Sequence, residues 1–192
     1  LVAAEDTRIS RKLLTYYGIQ TRLTSFHDDN ASVKIPIILA TLINSDVALV
    51  SEAGMPGISD PGTSLVVAAA EHGFQVVPVP GPSAVTTALS ISGMPAQEFV
   101  FMGFLPRKKS HRQIAISSIA LQHRTLVIFE SPHRVKATLS DLLRLLGDRR
   151  ISICRELTKL HEEVFRGTIS RGIEQFDSPR GEFTLVISGS DQ

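Results

Sequence analysis

The chain has 192 residues, of which 43% are hydrophobic, so it can form one large domain or two small ones around a buried core. Its 20 basic and 19 acidic residues leave a formal net charge of +1, which argues against a histone-like polycation but not against a local basic face. The one cysteine, Cys154, excludes an intrachain disulfide and fits a reducing cytoplasm, and no apolar stretch approaches the roughly 20 residues that cross a membrane.

Strand and helix patterns alternate along the chain. Five short apolar runs stop at a turn or loop, as is typical of strands that are buried on both faces of a sheet. Four segments have the apolar periodicity of helices, and three of these end before a glycine. In chain order the prediction is helix 7–17, helix 35–42, strand 47–50, helix 63–72, strand 75–79, strand 125–129, helix 132–146, strand 151–154 and strand 183–187.

This alternation predicts an α/β protein with two domains. Glycine, proline and positive charge cluster at residues 103–109, which we take as the boundary between domains at 1–105 and 106–192. If residues 35–42 are helical, Pro36 has to lie in the first turn. We find no internal repeat and no low-complexity tract.

The loop at residues 51–62 is the first candidate for chemistry. It holds three glycines and two prolines between a predicted strand and a predicted helix, so it is preformed and exposes backbone donors. Loops after the carboxyl ends of strands bind ligands in open α/β sheets. A long structural turn is the alternative. The dinucleotide fingerprint and the phosphate-binding P-loop pattern are both absent.

A second loop of this kind lies at residues 78–84, again after a predicted strand and before a helix signal. Proline fixes its backbone, glycine permits close approach, and Ser83 can cap a following helix. Taken alone, it reads as a structural turn. Two such loops after two neighbouring strands should open onto one edge of one sheet, and the pair therefore indicates a binding site.

Two polar segments follow strands in the second half of the chain, FESPHR at 129–134 and RELTK at 155–159. Arg134 is unfavourable at a helix N-terminus unless it has an anionic partner, and an internal salt bridge or a substrate phosphate would serve equally. The charges of RELTK are either solvated or form the ion-paired wall of a cleft.

Two further clusters of polar residues could bind a ligand. His27, Asp28 and Asp29 carry metal-ligating groups, but a turn before a helix capped by Asn30 explains them better, and we predict no metal site. The segment 107–112 holds four positive charges and no acid, so it is either a solvated linker or a contact for phosphate groups.

Six segments, in this order, resemble a known family: AEDTR at 4–8, SEAGMPGISDPG at 51–62, PGPSA at 80–84, GFLP at 103–106, FESPHR at 129–134 and RELTK at 155–159. Together they are similar to ribosomal RNA small subunit methyltransferase I, the family of 16S rRNA cytidine 2′-O-methyltransferases in the tetrapyrrole methylase superfamily. The resemblance covers nearly the whole chain, and the ordered set is far more specific than any one motif.

The resemblance implies a two-domain α/β fold with S-adenosylmethionine in a cleft between the domains, and a homodimer. It implies methylation of a ribose 2′-hydroxyl in the decoding region of the small ribosomal subunit. From the composition we expect a cytoplasmic protein without a membrane partner. The cofactor-binding residues it implies are Ala53, Gly54, Met55, Pro56, Gly57, Asp60, Pro61, Gly81, Pro82, Ser83 and Ala84.

The chain departs from the family pattern in three places. The family begins with a strand and a T-P-I-G-N-L loop that helps to hold the cofactor, and we expect that this chain starts after it. The family also continues with helical sequence beyond the last strand. Asp29 stands where the family has a histidine in an H-D-H-N segment, which weakens any role for His27 or Asp28.

For the chemistry, the sulfonium methyl group is already activated, so the protein's main task is to align the donor with the attacking hydroxyl. A base would help to remove the hydroxyl proton, and Glu130, Glu156 and Lys159 are the candidates. The candidates for RNA phosphate contacts are Arg107, Lys108, Lys109, Arg112, Arg134 and Arg155.

Two rival functions remain open from the sequence. One is a methylase of the same superfamily that acts on carbon atoms of a tetrapyrrole, against which stand the basic segment, FESPHR and RELTK. The other is a non-catalytic RNA-binding module of the ribosome. Against that stand the two glycine- and proline-rich loops, which RNA binding does not require.

Overall fold

The computed structural model describes residues 1–176 and 180–190, which form two compact units. The first unit ends at Ser83 and the second begins at Ala84. The sequence predicts the boundary after residue 105. The difference arises because strand Phe99–Phe104 pairs within the second sheet, so the segment 103–109 lies inside the second unit and does not link two domains.

The first unit is a three-stranded parallel sheet in the order β2-β1-β3, with helices between the strands. Its core is small and contains Ala3, Phe26, Ile38 and Leu65. In chain order its elements are β1 (Val2–Ala4), α1 (Thr7–Tyr16), β2 (Leu23–Ser25), a 3₁₀ turn (Asp28–Asn30), α2 (Ala31–Leu42), β3 (Ala48–Val50) and α3 (Thr63–Glu71).

The three strands end in register at one edge of this sheet. Ala4 of β1 is level with Ser25 of β2 and with Val50 of β3. The residues that follow the strands, including Glu5 and the loop 51–62, therefore leave the sheet from the same edge.

Two predictions for the first unit need correction. Helix α2 begins at Ala31, so Pro36 lies beyond the first turn and inside the helix. The run 75–79 is not a strand, because within the described residues the sheet ends at β3 and offers this segment no partner. Val77 and Val79 are accordingly 65% and 80% exposed.

The second unit is a five-stranded sheet in the order β4-β5-β8-β6-β7. Only β4 and β5 run parallel, and the other neighbours are antiparallel. Its elements are α4 (Ala84–Ser92), β4 (Phe99–Phe104), α5 (Lys109–Ser117), β5 (Thr125–Glu130), α6 (Val135–Leu146), β6 (Arg150–Arg155), β7 (Glu163–Thr168), α7 (Ile169–Gln175) and β8 (Phe183–Ile187).

Both faces of this second sheet are covered, as the continuous apolar runs predicted. Alternate residues of β5 point to opposite sides: Leu126 and Ile128 pack in the larger core cluster, and Val127 packs in a separate one. The apolar stripe of α6, including Leu139 and Leu142, belongs to the larger cluster. Among the described residues no helix has the length and apolarity needed to span a membrane.

Candidate functional site

The two glycine- and proline-rich loops of the first unit lie against each other. A Cβ atom built on Gly54 would be 3.8 Å from the carbonyl oxygen of Pro82, and one built on Gly81 would be 3.5 Å from the sulfur of Met55. Of the predicted cofactor residues, Gly54 and Met55 are thus beside Pro82 and Gly81. The two loops are brought together as expected, but among the described residues the second loop follows no strand, so it does not leave the edge of the sheet in the way that the sequence predicted.

The backbone of the 51–62 loop follows a path that favours glycine. Gly54 and Gly57 both have φ of +80°, and Gly62 has φ of +150°. A Cβ on Gly62 would come within 2.9 Å of a Leu49 methyl carbon and 3.2 Å of the Gly57 nitrogen. The loop therefore folds tightly onto the end of β3, and its turns expose main-chain groups in place of side chains.

Glu5 lies at the same edge of the first sheet, where the sequence reasoning had assigned no site residue. Its pKa is raised, first because its carboxyl is partly buried and then because Asp60 is nearby, while a hydrogen bond donated by the Glu52 backbone works in the opposite direction. That hydrogen bond links the end of β1 to the loop. The signal that could have found Glu5 is its position after β1, a strand of three residues that the apolar pattern did not reveal.

The two predicted site segments of the second unit are built differently, from side chains fixed by hydrogen bonds. Glu130, at the end of β5, is buried, and its carboxylate accepts hydrogen bonds from the Ser131 backbone N–H at 2.8 Å and from the Thr138 hydroxyl at 2.6 Å. A substrate hydroxyl has no access to this carboxylate in the structure, so the geometry gives no support to a catalytic role for Glu130.

Arg134 holds the same turn together. Its Nε lies 3.4 Å from Glu130 Oε1, and its Nη2 donates to the carbonyl oxygens of Leu105 at 2.6 Å and Pro106 at 3.3 Å. Of the two roles left open for this arginine, the internal one is the one observed. Through Nη2 the guanidinium joins the turn after β5 to the segment after β4, so these two hydrogen bonds are made inside the protein.

Glu156 and Lys159 are brought together in the turn after β6. The Lys159 ammonium lies 3.1 Å from Glu156 Oε1 and 2.8 Å from Glu182 Oε2. Glu156 also accepts a hydrogen bond from the Glu182 backbone at 2.8 Å, and its own φ is +48°. The carboxylate sits so close to Gly181 that a Cβ there would be 2.4 Å from Glu156 Cγ.

The charges in this turn fix its protonation state. The pKa of Glu156 is lowered, chiefly by the Glu182 backbone hydrogen bond, with Lys159 adding to it. Burial alone would lower the pKa of Lys159, but its hydrogen bonds to Glu182 and Glu156 raise it above the ordinary value. At neutral pH the pair is therefore a carboxylate and an ammonium, and neither group is a strong proton acceptor.

Of the other residues predicted to contact phosphate, some have exposed side chains and others form ion pairs within the protein. Arg107, Lys108 and Lys109 are exposed at the start of α5. Arg112 is buried, with Nε and Nη2 at 2.9 and 2.7 Å from Asp141 Oδ2, so its prediction as an RNA contact is wrong. Arg155 is ion-paired with Glu163 at 2.8 Å.

The His27–Asn30 segment forms the predicted turn before a helix. The Asn30 side chain accepts a hydrogen bond from the His27 backbone at 3.0 Å, although it does not cap α2 itself. Within residues 1–176 and 180–190 no group of three or more His, Cys, Asp or Glu side chains is arranged to hold a metal ion.

Comparison with known proteins places these features in a family. The family model described as Tetrapyrrole (Corrin/Porphyrin) Methylases matches residues 1–171. The chain belongs to this family. Its curated relatives include two proteins named ribosomal RNA small subunit methyltransferase I: the one from Halalkalibacterium halodurans is 46% identical over 100% of this chain and 67% of its own length, and the one from Thermotoga maritima is 47% identical over 100% and 87%.

Solved structures of more distant proteins share the fold of this tetrapyrrole methylase. The methyltransferase CobJ has a TM-score of 0.64 at 15% identity, and the match covers 98% of this chain and 93% of CobJ. Diphthine synthase has a TM-score of 0.71 at 12% identity and covers 98% and 78%. The predicted fold class is thereby confirmed.

In this tetrapyrrole methylase, the predicted site residues fall into two separate sets. The loop residues, from Ala53 to Pro61 and from Gly81 to Ser83, belong to the first unit. Ala84 is the first residue of α4 and belongs to the second unit, as do Glu130, Glu156 and Lys159. The roles predicted for these residues stay predictions.

Proposed function

We propose that the chain is an S-adenosylmethionine-dependent methyltransferase that methylates the ribose 2′-hydroxyl of a cytidine in 16S ribosomal RNA. The observation that carries the proposal is the 46–47% identity, over the whole chain, to relatives named ribosomal RNA small subunit methyltransferase I. The homodimer, which the family resemblance implies, and the cytoplasmic location, which the composition indicates, stay predictions.

The adjoining loops of the first unit fit a cofactor with a nucleoside and an amino acid group. Such a ligand needs many hydrogen-bonding partners at short range, and a glycine-rich backbone offers them without side chains in the way. Gly54 and Gly81 are spaced so that added Cβ atoms would meet the opposite loop. When bound, S-adenosylmethionine supplies an activated methyl group, and the loops have only to hold and orient it.

Lys159 is best suited to contact the RNA as a cation. Its ammonium is fixed between Glu156 and Glu182, is 43% exposed along its side chain, and carries a raised pKa. An ammonium held in this way can donate to a phosphate or ribose oxygen and stabilise negative charge on it. The protonated Lys159 side chain cannot accept the hydroxyl proton, and Glu130 is buried. We therefore do not propose either residue as the base.

The first test is a methyl-transfer assay with tritiated S-adenosylmethionine and three acceptors: small ribosomal subunits, free 16S rRNA and a porphyrin precursor. We expect label in RNA and recovery of a 2′-O-methylated cytidine after nuclease digestion. Label in the porphyrin instead would favour the tetrapyrrole rival. Calorimetry that detects RNA binding but no S-adenosylmethionine binding would favour the non-catalytic module.

A matched pair of glycine variants tests the loop site. Gly54 and Gly73 have φ of +80° and +77°, so alanine adds similar backbone strain at both, but only Gly54 faces another loop and Gly73 has nothing within 4 Å. We expect Gly54→Ala to weaken S-adenosylmethionine binding about tenfold or more by calorimetry, equivalent to about 1.4 kcal/mol. Equal affinity in Gly54→Ala and Gly73→Ala would contradict a cofactor site at these loops.

A further inference from the structure

Helix α1 presents its apolar side to solvent. Ile9, Leu13, Tyr16 and Tyr17 recur at the spacing of one helical face, and Tyr16 and Tyr17 are 82% and 66% exposed. No residue of the helix is fully buried. A surface helix normally turns such a stripe towards the core, but none of the residues that the structure describes covers this one.

The opposite side of α1 explains why the stripe faces outward. Thr7, Ser10 and Leu14 are the residues of the helix that are partly buried, and they share the other face at the same helical spacing. A mostly polar face therefore rests on the unit, while the aromatic face is exposed in the part of the chain that the structure describes. Because packing within the first unit would favour the reverse, we look for an external ligand of the aromatic face.

The charge around this stripe is uniformly positive. Residues 7–22 contain Arg8, Arg11, Lys12 and Arg22 and no acidic residue, in a chain whose net charge is only +1. Arg8 is paired with Asp6, whereas Arg11, Lys12 and Arg22 are exposed and form no ion pair within the part of the chain that the structure describes. This is the charge pattern of a surface that binds a polyanion.

Tyr16 and Tyr17 are the only tyrosines of the chain, and they lie side by side at this surface. Their ring centroids are 5.0 Å apart with the ring planes at 89°, an edge-to-face pair that holds the rings in a fixed arrangement. Exposed aromatic rings beside basic side chains are the combination that binds single-stranded nucleic acid, since bases stack on the rings while phosphates contact the cations.

We propose that the exposed face of α1, comprising Ile9, Leu13, Tyr16 and Tyr17 with Lys12 at its side and Arg22 shortly after the helix, is a docking surface for single-stranded RNA. This rests on the proposed function and adds to it a place where the substrate RNA is held apart from the methyl-transfer chemistry. A second copy of the chain suits the surface less well, because pairing two α1 helices would bring two sets of cations together.

The test measures RNA affinity by fluorescence anisotropy, with a labelled twelve-nucleotide oligouridine and a 16S rRNA transcript as probes. Two double variants are compared, Tyr16→Ala with Tyr17→Ala and Lys12→Gln with Arg22→Gln. Leu121→Ala and Arg171→Gln are the matched controls, because they remove an exposed apolar and an exposed basic side chain in the second unit. Unchanged thermal unfolding midpoints establish that all variants are folded.

We expect the tyrosine variant to raise the Kd for both RNAs about tenfold without changing its salt dependence. The basic variant should reduce the slope of log Kd against log salt concentration by about 1.4, since each contact to a single-strand phosphate contributes about 0.7. In the methylation assay KM for RNA should rise with kcat unchanged. The affinity for S-adenosylmethionine should be the same in all proteins.

Variants that bind RNA as tightly as the two controls would overturn the docking surface. So would loss of self-association on sedimentation with RNA affinity intact, which would assign the stripe to a second copy. These outcomes are separate from failure of the proposed function, in which the unaltered protein neither binds S-adenosylmethionine nor methylates RNA, whatever the RNA affinity of the α1 variants.

Discussion

The first unit builds its candidate site from backbone, and the second builds its own from side chains. In the loops at 51–62 and 80–83, glycines with positive φ bring main-chain groups together. In the turns after β5 and β6, Glu130 and Glu156 accept backbone hydrogen bonds and arginine or lysine lies beside them. The two constructions should therefore fail in different ways when they are altered.

The largest effect is expected at Glu130. Its buried carboxylate accepts hydrogen bonds from Ser131 and Thr138, so Glu130→Ala leaves two donors without their acceptor and leaves Arg134 without its ion-pair partner. We expect a loss of about 3–5 kcal/mol in the free energy of unfolding, measured by urea denaturation. Thr138→Val, which removes one donor only, is the control and should lose about 1–2 kcal/mol.

If the Glu130 and Thr138 variants are equally stable, the carboxylate does not hold the turn. A Glu130→Ala protein of full stability that has lost methyl transfer would restore the catalytic role that the geometry does not support.

The next effect concerns Gly181, a glycine that packs against the Glu156 side chain in the second unit. Gly181 and Gly147 have φ of +88° and +81°, but Gly147 has open space around it whereas Gly181 abuts Glu156. Gly147→Ala should lower the free energy of unfolding by about 1 kcal/mol through backbone strain. Gly181→Ala should lower it by about 2 kcal/mol more, because the added methyl group displaces the Glu156 side chain. Equal losses of stability for the two variants in urea denaturation would show that the position of the Glu156 side chain beside Gly181 does not stabilise the unit.

One carboxyl group in each unit should make stability depend on pH, and the two dependences should run in opposite directions. Glu156 has a lowered pKa, first through the Glu182 backbone hydrogen bond, so its contribution is present above the ordinary glutamate pKa of 4.5 and is lost as pH falls through the folded-state value. Glu5 has a raised pKa, first through burial, so stability is lost as pH rises from 4.5 through its folded-state value.

The corresponding variants are Glu156→Gln and Glu5→Gln. Urea denaturation across the acid range should show that Glu156→Gln reduces the loss of stability towards low pH, while Glu5→Gln reduces the loss towards neutral pH. Two variants that change the curve in the same direction would contradict the opposite environments of these carboxyls.

The contrast also explains how much of the structure the sequence predicted. The spacing of glycine and proline indicated both loops, because these two residue types determine which backbone conformations a segment can adopt. The strands β5, β6 and β8 were identified as continuous apolar runs, because both faces of that sheet are covered. The run 75–79 has a strand's composition but no neighbour, and pairing is not visible in a local pattern. Arg112 shows the same limit, since only the fold brings Asp141 beside it.

The smallest change in stability, and the sharpest functional one, is expected at Lys159. Its pairs with Glu156 and Glu182 are partly exposed, so Lys159→Gln should cost less than about 1 kcal/mol in urea denaturation. If the ammonium contacts the RNA, methyl transfer should fall about tenfold or more, while Lys159→Arg keeps the charge and part of the rate. Arg171→Gln, which removes an exposed positive charge of the second unit that no predicted site uses, is the control. A Lys159→Gln protein with full methyl transfer would contradict a contact between Lys159 and RNA, and the Glu156–Lys159–Glu182 cluster would then have only a structural role in the turn.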